Sequence, residues 1–70
     1  MVSRVAHRRD AVVAVLAQVI EDAERDREAY QSQRRAEHAR DDAEAEAYCD
    51  GMEAGLTFLI DTLRSVLRLI

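Results

Sequence analysis

No proline occurs anywhere in the chain and no glycine before Gly51, so nothing punctuates the first fifty residues as turns ordinarily would. The residues that fill this stretch are chiefly Ala, Arg, Glu, Leu and Gln, all good helix formers. Ala11–Ile20, AVVAVLAQVI, is the one segment with a rival reading, because its four Val and one Ile would suit a buried strand. No second strand candidate exists to pair with it, and a lone strand leaves its backbone groups unsatisfied. The chain is therefore predicted to be all-α, with Ser3 as the expected N-cap of its first helix.

Placing residues at 100° per step separates the faces of these helices. Val5, Val12, Val13, Leu16, Val19 and Ile20 share one broad arc, with Val15 at its edge. Leu56, Leu59, Ile60, Leu63, Val66, Leu67 and Ile70 form one stripe, while Phe58 and Leu69 make a second patch. A helix packed against one neighbour needs a single stripe, so the C-terminal helix is expected to have two neighbours. Phe58 and Leu69 are accordingly the candidate oligomer interface.

Between the apolar ends, Glu21–Glu46 carries charges at most angles. For the ends to meet, the chain must reverse there, and antiparallel matching places the reversal within Gln31–Asp42. Gln31-Ser32-Gln33 is the weakest helical stretch, and Asp41-x-x-Glu44 resembles a capping box that would restart a helix. Residues 1–70 are thus expected to form one unit, with a helix over about 3–32 and another over about 42–69. Seventy residues bury little apolar surface alone. The predicted fold is an antiparallel two-helix hairpin that dimerises into a four-helix bundle. The rival is one uninterrupted helix, about 100 Å long, pairing as an antiparallel coiled coil.

Small residues recur every four positions at Ala39, Ala43, Ala47, Gly51 and Gly55, and Leu59, Leu63 and Leu67 continue the row. Glycine weakens a helix interior unless closeness compensates. Ala47, Gly51, Gly55, Leu59, Leu63 and Leu67 are therefore the candidate helix-packing residues, as in small-xxx-small contacts. The alternative is that Gly51 breaks the helix after Asp50.

The function classes narrow by charge and motif. The net charge is −4, with a basic excess only in the first twenty residues. That is not the basic, aromatic-bearing face of a nucleic-acid binder, although Arg4, Arg8 and Arg9 are candidate anion contacts. The longest strongly apolar run is ten residues, too short to cross a bilayer. Arg64 and Arg68 beside Asp61 make a poor basic face for lying on a membrane. A single cysteine, Cys49, closes no intrachain disulfide and reads as an inert thiol. His7-x-x-Asp10 and His38-x-x-Asp41 could pair ligands on a helix face, but Arg flanks both and would repel a cation. No phosphate loop or nucleophile arrangement occurs, and two helices offer scarcely a cavity. Neither a cofactor nor catalysis is expected.

One local run carries a resemblance. Tyr48, Gly51, Gly55 and Leu56 form Tyr-x-x-Gly-x-x-x-Gly-Leu, leading into an apolar C-terminal helix. Over Tyr48–Leu67 the chain resembles small helical proteins encoded by actinobacterial phages. The resemblance implies a cytoplasmic accessory protein that engages a host protein, and it brings no site residues with it. The function expected is a non-enzymatic protein–protein interaction module that occupies a partner's surface and also pairs with itself. The alternative is a small regulator touching nucleic acid through Arg4, Arg8 and Arg9.

Overall fold

The computed structural model describes residues 4–70, with side chains from His7 onward. Helix α1 runs Arg4–Ala39 and helix α2 runs Ala43–Leu69, antiparallel, in a hairpin 61 Å long. Ser3, the expected N-cap, lies outside the described residues, as does the side chain of Arg4.

Three residues reverse the chain. The N–H of Asp42 donates to the carbonyl of Glu37 and the N–H of Asp41 to that of His38, both at 3.0 Å. These two bonds make a Schellman closure of α1. Its left-handed position, usually glycine, is Asp41 with φ 58°. Asp tolerates this region better than most side chains. Asp42 then caps α2, its side chain accepting from the N–H of Ala45 at 3.1 Å and its carbonyl from Glu46 at 3.0 Å. Glu44 and Glu46 in the first turn complement the helix dipole.

This turn falls inside the expected window, but α1 continues past residue 32 to Ala39. Gln31-Ser32-Gln33 stays helical and is itself tied across the hairpin, Gln31 Nε2 donating to Glu53 Oε1 at 3.0 Å. The reversal also disposes of the uninterrupted helix.

The faces in contact follow a strict alternation of three- and four-residue steps. On α1 these are Val13, Leu16, Ile20, Ala23, Arg27, Tyr30, Arg34 and Glu37, each buried or half-buried. On α2 they are Cys49, Glu53, Leu56, Ile60, Leu63, Leu67 and Ile70. That spacing is the seam of a coiled coil. The seam is lopsided. At the open end Ile20, Ala23 and Ile60 form the core, with Leu56, Leu63 and Leu67 packed on it. Toward the turn it becomes polar: Arg34 lies 3.3 Å from Asp50 and 3.2 Å from Glu53, and Arg27 donates to Thr57 at 3.4 Å. His38 Nδ1 meets Glu46 at 3.0 Å, and buried Glu37 accepts from Arg40 at 2.8 Å.

The small-residue row is brought to α1 only at Leu63 and Leu67. Ala47, Gly51 and Gly55 are exposed, Leu59 is 41% exposed, and a methyl group on either glycine would meet nothing within 4 Å. The reason is geometric. Four-residue steps wind about 40° per step around a helix, so Ala47 and Leu67 lie about 200° apart. A row that long cannot face one neighbour. Gly51 sits within α2 and does not break it, and no glycine has a positive φ.

Candidate interaction surface

Stepping one residue back from each seam position defines a second stripe on both helices. On α1 it begins Val12, Val15, Val19 and continues Asp22, Asp26, Ala29. On α2 it reads Tyr48, Met52, Gly55, Leu59, Thr62, Val66 and Leu69, without one charge in a chain that is 34% charged. All of these residues are exposed, Val15 at 62% and Leu69 at 87%.

The two stripes lie on one side of the hairpin. Because the helices are antiparallel, one step back along each turns opposite ways about the common axis, and both steps reach the same face. The opposite face demonstrates the rule. Arg64 and Glu24 each stand one residue after a seam position, and they pair across the helices. That charged side also carries Glu21, Glu28, Asp61 and Arg68. The hairpin therefore has one charged face and one face whose open-end half is apolar.

The expected interface residues divide between these surfaces. Leu69 belongs to the apolar face. Phe58, 75% exposed, stands two residues before Ile60 and points away from α1, beyond the edge of that face. Val12, Val15 and Val19 were assigned by the 100° reading to the core arc or its edge. The signal that separates them from Val13, Leu16 and Ile20 is the one-residue offset between two parallel heptad rows, which an arc of that width merges.

The chemistry-bearing candidates do not converge. Arg8 and Arg9 are exposed on the first turns of α1, and His7 and Asp10 beside them are exposed too. His38 faces Glu46, not Asp41. Among the described residues no group of three His, Cys, Asp or Glu side chains is placed to hold a metal ion. Cys49 is fully buried in the seam. The surface depressions are shallow, one lined by Arg34, Arg35, His38 and Glu46 near the turn, another by Ala11, Val12, Val15 and Leu16. Among the described residues no helix is long and apolar enough to cross a membrane.

Glu53 shows how tightly the polar seam is built. One carboxylate oxygen accepts from Gln31, while the other is buried without a hydrogen bond. Arg34 Nε is 3.2 Å from that second oxygen, but its N–H is not aimed there, so the contact is Coulombic.

No protein-family model matches the chain, and comparison with the curated proteins and with the solved structures gives no match.

Proposed function

We propose that this chain is a non-enzymatic protein–protein interaction module whose working unit is a two-fold dimer, two hairpins forming a four-helix bundle. The observation that carries the proposal is the uncovered apolar face of Val12, Val15, Val19, Leu59, Val66 and Leu69, all exposed. An apolar patch of this kind on a small protein marks a docking surface. The core behind it is small: Ile20, Ala23, Cys49 and Ile60 are the buried apolar residues described. Oligomerisation is one of the routes by which chains of this size gain stability.

The likeness of residues 48–67 to small phage helical proteins supports a cytoplasmic accessory role in which the module engages a host protein. Phe58, off the apolar face and still exposed, is then the docking residue for that second protein. The nucleic-acid reading rests on exposed Arg8 and Arg9 alone, within a chain of net charge −4.

Light scattering on the full chain over a range of concentrations tests the first part, and a dimer mass is expected. The second part is tested by tagged capture from host lysate with wild type and Phe58→Asp. The expected result is one protein held by the wild type and lost in the variant. A chain that stays monomeric and captures nothing overturns the reading. Salt-dependent binding to duplex DNA that is lost when Arg4, Arg8 and Arg9 are replaced would install the rival instead.

A further inference from the structure

The order of residues along the exposed stripe of α1 is itself informative. From the N-terminus it reads Arg8, then Val12, Val15 and Val19, then Asp22 and Asp26: a base, three valines, two acids. A stripe with that order is complementary to its own reverse. Laid antiparallel on a second copy and centred near Val15, it sets valines on valines and brings Arg8 of each copy beside the acids of the other.

We infer that the occupant of the apolar face is a second copy of this chain, with the two α1 helices antiparallel, crossing near Val15, and the two turns at opposite ends of the dimer. The inference rests on the proposed dimer and specifies how it is built: α1 packs on α1 over most of the overlap, and because α2 ends level with about Val15, the four-helix part is confined to the crossing.

Three further observations support it. The groups that would pair are available. Arg8 and Asp26 make no ion pair among the described residues. Asp22 meets Gln18 and Arg25 only through Oδ1, which leaves Oδ2 open.

The area also fits. A folded monomer of 7.9 kDa exposes about 4,400 Å². This hairpin exposes 5475 Å². The excess, about 1,000 Å², reflects a hairpin of 61 × 15 × 12 Å with no layer over either face, and leaves room for the roughly 800 Å² that each partner contributes to a standard interface.

The opposite arrangement is unfavourable. With both turns at one end, the two-fold lays α1 on the partner's α2, so Asp22 and Asp26 meet a stripe that carries no base. Carboxylates covered without a partner resist burial. The α2 stripe carries no charge, so the α1 charges decide.

The two arrangements differ in shape and in which positions meet. Two hairpins of 61 Å overlapped at their open ends span about 80 Å, against about 61 Å when the turns coincide. Small-angle scattering of the dimer is expected to give the longer dimension. Val15→Cys should cross-link to itself through a short bis-maleimide. Ala36→Cys, on the same face near the turn, should not, and the wild type with its buried Cys49 is the blank. Arg8→Glu is expected to weaken the dimer on the order of tenfold, two pairs being lost at once. Adding Asp22→Arg should restore it. Far-ultraviolet dichroism on each variant checks that the hairpin persists.

A dimer of about 61 Å, cross-linking at Ala36→Cys, or no rescue by Asp22→Arg overturns this arrangement and leaves the dimer standing. A chain that is monomeric at every concentration overturns the dimer itself, and this inference with it.

Discussion

Arg64 of α2 pairs with Glu24 of α1, forty positions away in sequence, on the side of the hairpin opposite the exposed valines. Both side chains are substantially solvated, at 50% and 35% exposure, so screening leaves the pair worth no more than about 1 kcal/mol. Its importance lies in geometry. It shows which flank of each helix faces its neighbour's flank, and so which flanks are left to meet another molecule.

Ile60 is fully buried at the centre of the core between Ile20, Ala23 and the flanking leucines. Ile60→Ala removes three carbons from a site with little else around it. A loss of about 2–5 kcal/mol is expected, comparable to the whole stability of so small a fold. Far-ultraviolet dichroism at 25 °C should show most of the helix signal gone; a variant that melts like the wild type would mean the core lies elsewhere.

Arg34 and Glu53 test the polar seam. Arg34→Leu leaves Glu53 half-buried with Gln31 as its remaining partner, at an expected cost of about 1–3 kcal/mol. Replacing both residues by Leu should recover that loss or exceed it, because an apolar pair avoids the desolvation that charges incur. Urea midpoints of the two variants and the wild type decide. The double variant is also expected to form mixed oligomers in light scattering, since polar seam residues specify register and partner number.

The apolar half of the seam was legible in the sequence. Leu56, Ile60, Leu63 and Leu67 recur at helical spacing and pack about Ile20 and Ala23. The polar half was not. Arg27, Arg34, Glu37 and Glu53 occupy the same heptad positions, but a reading that looks for apolar stripes discards charged residues before their spacing is noticed. The cap was displaced by one residue for a backbone reason. Asp41, expected to start α2, takes the left-handed position that ends α1, and Asp42 inherits the cap. The exposed face was hidden by breadth. Two rows one residue apart differ by about 100°, which one wide apolar arc conceals.

The turn yields two opposite-signed changes. Asp41→Gly relieves a side chain at φ 58° and should stabilise by up to about 1 kcal/mol. Asp42→Ala removes the acceptor of the Ala45 N–H and should cost about 1 kcal/mol. At about 4–8 °C per kcal/mol for a chain of this size, thermal melts resolve both shifts.

Gly51→Ala adds a methyl group into open space at a helical position. A gain of about 0.5–1 kcal/mol is expected, from a better helix former and a less flexible unfolded chain. A lower melting temperature would show that α2 bends or ends at this residue.

The lopsided seam also sets the order in which the hairpin closes. Helical hairpins ordinarily zip from their turn, where the closing loop is short and each new contact adds little entropy loss. Here the contacts beside the turn are chiefly charged, and the apolar core that joins Ile20 and Ala23 to Ile60 lies beyond them. Roughly forty residues must be drawn into a loop before that contact forms, so the closure entropy is met early and recovered late. Two-helix proteins dominated by local contacts fold within microseconds to milliseconds. With its apolar core set away from the turn, this one is expected to fold toward the slow end of that range.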